Sequence, residues 1–504
     1  MAAMGEPRSR KMARRGARRE QRHAKGSRTL RRVLSWVPEV LVVLVVLAAV
    51  GNVQYDLGHR WFGLPATDPD SHPAAVLPPE GLDLPAGTPA PAVAAALTPG
   101  SADPARVRSA LTHLLADKRL GKHVDMLVTD LSTGTVLFQR GSGSVTPAST
   151  TKLLTSLAAL QSLGPMTRFS TRVVAVGDRL TLVGGGDPFL ASTPAAAKGR
   201  YPARADAQTL ARRTAAALTA QGIRQVRLSY DATLFTGPGM NPNWPAAYGP
   251  DSVVPPIRAL WVDEGKVDHR FVTDPAAVAG HSFATSLAKA GIKVVGPVRA
   301  GKAPADAVQV AEMKSAPVGE IVQHTLTVSD NNAAEVLARQ VALKVGTSPS
   351  FSGGTTAVFR VLDELGVDLA GSRIYDGSGL SRRNHLTPTT LLDVLRTAAS
   401  PEHPTLREVI TGLPVAGFTG SLQERFDDGP TAARGRVLAK TGTLTGVHGL
   451  AGVATDLDGD LLGFVIIADR VSVPNTLPAR HQIDLMAAAL GACHCGRPKD
   501  SPVS

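Results

Sequence analysis

Three short groups of residues in this chain carry side chains suited to acyl transfer. In chain order they are Ser149-Thr150-Thr151-Lys152, Ser329-Asp330-Asn331 and Lys440-Thr441-Gly442-Thr443. A serine hydroxyl is a weak nucleophile until a neighbouring base takes its proton. Lysine can be that base where burial and nearby cations lower its pKa. Residues three apart on a helix share a face, so Ser149 at a helix start and Lys152 one turn later can touch. The helix start offers the Ser149 backbone N–H to a developing oxyanion, and a second N–H is expected from Thr443 on a strand edge. Lys440 can depress the pKa of Lys152 and attract a substrate carboxylate. Ser329 can relay a proton to a leaving amine, Asn331 can hold a substrate amide, and Gly442 leaves room for a substrate along its strand.

Singly, each group has an ordinary explanation. Ser149, Ser329 and Asp330 are good helix N-caps, and Lys440 alone is a solvated strand-end lysine. A pattern with two fixed positions in four arises by chance about once in a chain of this size. It does so here: Ser286-Leu287-Ala288-Lys289 also fits. That copy sits inside the helical pattern Ser282–Ala290 with no partner motif, and it is assigned no role. The ordered triple at Ser149, Ser329 and Lys440 is what points to a site.

The elements that must position these groups can be read around them. Pro104–Lys118 has the apolar spacing of an amphipathic helix, with Val107, Leu111, Leu114 and Leu115 on one face. Val124–Asp130 and Thr135–Arg140 form two strands joined through Ser132-Thr133-Gly134. A helix follows from Ser149 to Leu163, and Gly164 ends it. Ala333–Val345 is a helix behind the Ser329 group. At the other end, Arg436–Thr443, Leu450–Thr455 and Leu461–Ala468 are strands, and Arg480–Leu490 is a closing helix. The simplest assembly is one antiparallel sheet built from both ends of the folded region and flanked by helices. Between them, 170–314 is strand-like and loop-rich, with strands expected at Arg172–Val176, Leu180–Val183, Val226–Asp231 and Ile292–Arg299. A sharp turn is expected at Gly184-Gly185-Gly186-Asp187-Pro188, and the whole stretch reads as an insertion.

Composition bounds the rest. The chain has 504 residues, 43% of them hydrophobic, enough for sizeable cores. Its net charge is +12, but residues 1–32 hold twelve Lys and Arg against two Glu, so ten of those charges belong to a tail. The apolar segment 33–53 follows it, continuous over Val40–Val50. Basic residues before it and almost none just after it orient the N-terminus toward the cytoplasm. The segment is either an uncleaved anchor or the hydrophobic part of a signal peptide, and both export everything beyond about Tyr55. A nucleic-acid role resting on the basic tail alone conflicts with that topology, so no nucleic-acid partner is expected. Residues 54–100 contain nine prolines and read as an extended spacer. Cys493 and Cys495 flank His494; with one His they are too few for a closed zinc site and read as a local clip or tail feature. No metal or cofactor is expected.

With the motifs in place, the chain resembles the D-alanyl-D-alanine carboxypeptidases of the low-molecular-mass class C penicillin-binding proteins, the DacB or PBP4-like serine peptidases of family S13. The 180 residues between Ser149 and Ser329 require an insert, which this family has. Further stretches are similar to it: Gly184-Gly185-Gly186-Asp187-Pro188, Trp244 with Val253-Val254-Pro255-Pro256, Asp376-Gly377-Ser378-Gly379-Leu380-Ser381-Arg382, and Lys440-Thr441-Gly442-Thr443-Leu444. The similarity covers roughly 101–495, and the front end suggests an actinobacterial-type member.

The resemblance implies an α+β, β-lactamase/transpeptidase-like domain at 101–169 and 315–495, an inserted β-rich domain at 170–314, and a tail at 496–504. It implies a penicillin-binding carboxypeptidase, with endopeptidase activity open, trimming peptidoglycan stem peptides through an acyl-enzyme on Ser149. Lys152 would be the general base, and Ser329 and Asn331 would handle protons and position the peptide. Lys440, Thr441, Gly442 and Thr443 would line the place of the terminal carboxylate. The implied partners are peptidoglycan stem peptides, β-lactam antibiotics and the cytoplasmic membrane through the N-terminal segment. The alternatives are a β-lactamase-like hydrolase, for which no Glu-x-x-x-Asn loop stands at suitable spacing, and a non-catalytic cell-wall-binding scaffold.

Overall fold

In the computed structural model the described residues are 102–496. The basic tail, the apolar segment 33–53, the spacer 54–100 and residues 497–504 lie outside them. No helix among the described residues is long and apolar enough to cross a membrane.

The chain begins with α1 (Pro104–Leu115), capped by the Asp103 carboxylate on the Ala105 N–H, then β1 (Val124–Asp130), β2 (Val136–Arg140) and α2 (Lys152–Leu163). Next come β3 (Arg168–Val176), β4 (Arg179–Val183), α3 (Ala207–Ala220), β5 (Gln225–Asp231), α4 (Pro275–Lys289) and β6 (Val308–Pro317). Four helices follow: α5 (Val318–Thr327), α6 (Asn331–Val345), α7 (Phe351–Glu364) and α8 (Pro388–Ala399). The last elements are β7 (Val437–Leu444), β8 (Val447–Thr455), β9 (Leu461–Ala468) and α9 (Thr476–Gly491).

One five-stranded antiparallel sheet has the order β7-β8-β9-β1-β2, so both ends of the folded region build it, as the strand pattern predicts. Val124 pairs with Ala468 and Asp130 with Leu462. All seven residues of β1 are buried because both sheet faces are covered. Met126 and Val128 join the core of Val107, Leu111, Ile483 and Met486 beneath α1 and α9. Leu127 faces the opposite core, with Leu153, Leu157, Leu391 and Ile467. Helix α2 runs through that second core, with every residue from Lys152 to Leu160 buried. Its polar members Lys152, Thr155 and Ser156 are buried with the apolar ones.

A second sheet, drawn from residues 168–317, has β6, β3 and β4 antiparallel and then β4 and β5 parallel. It differs from the sequence reading in three ways. The expected strand Ile292–Arg299 is two short pieces, Lys293–Val294 and Arg299–Ala300, because Gly296 at φ +74° and Pro297 interrupt it. The ten-residue β6 was not expected. Nor was α3, whose buried face is built mainly of small and polar residues, Ala207, Ala211, Thr214 and Ala215, with only Leu210 and Leu218 large. The stretch is therefore a mixed sheet with helices packed on it.

At the C-terminal end Cys493 and Cys495 form a disulfide. Asp456 in the β8–β9 turn accepts from the Cys495 N–H at 3.1 Å, and the Leu457 N–H donates to the Cys493 carbonyl at 2.9 Å. These bonds clip residues 493–495 to that turn.

Candidate active site

Ser149 lies on a turn of 3₁₀-helix, Ala148–Thr151, and the α-helix begins only at Lys152. The expected helix start at Ser149 is thus a tighter turn leading into α2. The turn closes through Thr150 Oγ1 on the Pro147 carbonyl at 2.8 Å and Thr151 Oγ1 on the Ala148 carbonyl at 2.9 Å. Ala148 takes a left-handed φ of +48°, uncommon for a residue with a Cβ. Two glycines press against this turn from distant parts of the chain. A Cβ on Gly379 would lie 1.8 Å from the Ala148 carbonyl oxygen, and one on Gly442 would lie 2.7 Å from that of Pro147. Gly442 therefore lets β7 approach the Ser149 turn. The space it frees is filled by protein backbone, not kept open for substrate.

Lys152 is fully buried, and its ammonium makes three hydrogen bonds. It donates to Ser149 Oγ at 3.0 Å, to Asn331 Oδ1 at 2.7 Å and to the Ser378 carbonyl at 2.7 Å. Burial pulls its pKa down to about 8, although the carboxylates of Asp376, Asp330 and Glu335 pull the other way. Asn331 is the first residue of α6, whose N-terminus is capped by the Asp330 carboxylate on the Ala333 N–H at 3.0 Å. Just before it, Ser329 holds a left-handed φ of +63° at the α5–α6 junction.

Lys440 is also fully buried. Its ammonium donates to Ser329 Oγ at 2.9 Å and to the Thr441 carbonyl at 3.0 Å. Burial, reinforced by the charges of Lys152 and Arg425, holds its pKa well below the ordinary lysine range. Among the described residues, no carboxylate lies within ion-pair distance of Lys152 or Lys440. Thr441 is buried, with its hydroxyl 2.9 Å from that of Ser421. On β7 the Ala439 N–H donates away from the sheet, to the Pro414 carbonyl. Backbone groups alternate along a strand, so Thr441 and Thr443 present theirs on the same outer edge. Thr443 is exposed there.

The eight candidate residues thus converge from the Ser149 turn with the start of α2, the α5–α6 junction and β7. The expected lowering of the Lys152 pKa by Lys440 takes another form: burial lowers Lys152, the Lys440 ammonium is bonded to Ser329, and it is the charge of Lys152 that helps depress Lys440. The chance copy stays apart: Ser286 Oγ donates to the Ser282 carbonyl at 3.0 Å within α4.

A family model for the D-Ala-D-Ala carboxypeptidase 3 (S13) family matches residues 107–273 and 269–490. The chain belongs to this S13 family. A carboxypeptidase of Mycobacterium tuberculosis is 36% identical over 436 residues, which is 84% of this chain and 92% of the relative. A D-alanyl-D-alanine carboxypeptidase of an Actinomadura species is 30% identical over 474 residues, covering 76% of this chain and 84% of the relative. In fold, the S13 chain superposes on penicillin-binding protein 4 (DacB) from Haemophilus influenzae with a TM-score of 0.63. That match has 22% identity and covers 75% of this chain and 98% of the other.

The S13 chain also contains site residues that reading by side-chain type did not find. The Ser378 carbonyl is one, and the loop carrying it is braced by carboxylates. Asp376 accepts from the N–H of Gly379 at 2.9 Å and of Ser381 at 2.6 Å, from Asn384 Nδ2 at 2.6 Å and from Trp244 Nε1 at 2.7 Å. The turn-forming run Asp376-Gly377-Ser378-Gly379 was the available signal, but it names a turn and not what its carbonyl holds.

Proposed function

We propose that this protein is a serine D-Ala-D-Ala carboxypeptidase that trims peptidoglycan stem peptides through an acyl-enzyme on Ser149. The observation that carries this is the three-way bonding of Lys152. When Lys152 is neutral it has two N–H bonds and one lone pair. The carbonyl oxygens of Asn331 and Ser378 accept hydrogen bonds only, so they take the two N–H groups, and the lone pair is left facing Ser149 Oγ. That is the arrangement a general base needs. With a pKa of about 8, about a tenth of the molecules hold Lys152 neutral at pH 7.

Ser149 Oγ then attacks the carbonyl of the terminal D-Ala-D-Ala bond, and its proton passes to Lys152. The oxyanion is stabilised by the backbone N–H groups of Ser149 and Thr443. The leaving D-alanine amine takes that proton from the Lys152 ammonium, passed on through Ser329, whose hydroxyl Lys440 holds, and Lys152 is neutral again. Release of D-alanine leaves an ester on Ser149; Lys152 then takes a proton from the attacking water and returns it to Ser149 Oγ as the acyl C–O bond breaks. The terminal carboxylate is drawn to Lys440, Thr441 and Thr443; once bound, it raises the depressed Lys440 pKa and favours the ammonium. Asn331 also positions the peptide. β-Lactams, with a strained amide in place of the scissile bond, acylate the same serine.

The basic run 1–32 and the apolar segment 33–53 support a location outside the cytoplasmic membrane, held by that segment or released after its removal. Detection of the chain in the membrane or the medium tests this.

The test of the reaction is release of D-alanine from a pentapeptide, beside covalent labelling by a fluorescent penicillin. Wild type and Ser286→Ala should label stably, and Ser149→Ala should not. Absence of an adduct on folded wild type would overturn the reading, and rapid release of the label would favour a β-lactamase-like hydrolase.

A further inference from the structure

Below the Lys152 site lies a buried carboxylate with no part in the reaction as drawn. Glu335, on α6, is 1% exposed. Its Oε1 accepts from two successive backbone N–H groups, Gly377 at 3.0 Å and Ser378 at 2.9 Å. Its Oε2 lies 3.8 Å from Arg339, one turn further along the helix and itself buried. The Arg339 guanidinium sits 3.8 Å over the Phe351 ring. Burying a carboxylate and a guanidinium costs more than packing apolar groups of the same size, so a stabilising role alone explains the pair poorly.

Asn331 and Glu335 are four residues apart on α6, hence on one face. Asn331 accepts from Lys152 directly. Glu335 grips the loop whose Ser378 carbonyl is the second acceptor. Helix α6 thereby sets both hydrogen bonds that aim the lone pair of Lys152. The loop can lie this close because residue 377 is glycine: a Cβ there would be 2.8 Å from Ala338 Cβ and 3.0 Å from the Ala334 carbonyl.

We propose that Glu335 is a positioning residue for Lys152, acting through the Gly377-Ser378 backbone, and that its negative charge also tunes the lysine. This rests on Lys152 being the base. The charged groups around Glu335 are Arg339 on its own helix, Asp376 on the loop and Lys152 on α2. Burial and Asp376 hold Glu335 at about 7, so it is largely ionised where Lys152 titrates.

The experiment measures the rate of penicillin acylation from pH 5.5 to 9.5 in the purified protein. Glu335→Gln keeps an oxygen that can accept both N–H groups but loses the charge. Its plateau rate should stay within about threefold of wild type, and its acid limb should move to lower pH, because the ammonium of Lys152 loses a favourable neighbour. Glu335→Ala releases the loop, and its plateau should fall about 10- to 100-fold, with the concentration for half-saturation changed less than threefold. If Glu335→Ala does not fold, Glu335→Gln with Arg339→Met removes the stranded cation, and the acid-limb shift decides.

Two results separate the role of Lys152 from that of Glu335. If Lys152→Ala acylates as fast as wild type, the base assignment fails. If Lys152→Ala is inactive while Glu335→Ala keeps the wild-type rate and pH profile, the positioning role of Glu335 fails alone. An unshifted limb in the folded Gln variants overturns the charge effect.

Discussion

Lys440 Nζ donates to Ser329 Oγ at 2.9 Å and so joins strand β7 to the α5–α6 junction across 111 residues of sequence. With a substrate carboxylate bound and Lys440 held as the ammonium, the bond leaves Ser329 Oγ free to donate its own proton elsewhere, because an ammonium offers hydrogens and accepts none. Lys440→Ala should therefore remove both the carboxylate anchor and the group that orients the relay. D-alanine release is expected to fall about 100-fold or more in kcat/KM. Ser329→Ala should lower kcat with a smaller change in KM, since it strips the proton relay but leaves the cation. Equal effects of both variants on KM would count against separate roles.

The acylation rate should depend on pH through Lys152. Burial favours the neutral amine and puts its pKa at about 8. Deprotonation creates the base, so the rate rises with pH, about tenfold per unit well below that value, and levels above it. Lys152→Arg keeps a cation that does not deprotonate and should abolish acylation across the range. A wild-type rate independent of pH between 6 and 8 would contradict this.

The backbone of the Ser149 turn depends on two glycines. Gly379 has φ +87°, and an added Cβ would collide with the Ala148 carbonyl. Gly442 has the looser fit to Pro147. Gly379→Ala should destabilise the protein by about 1–3 kcal/mol and lower the melting temperature. It should also impair penicillin labelling more than Gly442→Ala does. The reverse order in thermal melts and labelling rates would show that the turn is not held from the Gly379 side.

What could be read from the sequence follows from where the chemistry resides. Ser149, Lys152, Ser329, Asn331 and Lys440 act through distinctive side chains at short spacings, β9 is a continuous apolar run, and α2 and β1 carry enough apolar residues to be read as a helix and a strand. The Ser378 carbonyl has no side-chain signature, and its partner Glu335 resembles any acid on a helix. Gly442 shows only that something comes close; the fold decides that it is Pro147 and not a substrate. In 170–314, helix α3 buries small and polar residues, so its apolar period is faint. The Gly296-Pro297 break lies within a run whose composition favours a strand.

Trp244 ties this inserted stretch to the Lys152 loop. Its Nε1 donates to Asp376 Oδ2 at 2.7 Å, and its ring meets Phe351 edge-on at 5.0 Å. Trp244→Phe keeps an aromatic ring and removes the donor, leaving buried Asp376 one partner short. The expected cost is about 1–3 kcal/mol. Because the Asp376 loop carries the Ser378 carbonyl, acylation should also slow severalfold. Trp261→Phe is the comparison: Trp261 lies in the same core, but its Nε1 donates at 3.1 Å to the carbonyls of Asp187 and Pro188 and not to Asp376. It should destabilise the protein by a similar amount while leaving the acylation rate near wild type. Parallel melting curves and labelling rates for the two variants check this, and equal slowing in both would mean that Trp244 acts through general stability and not through Asp376.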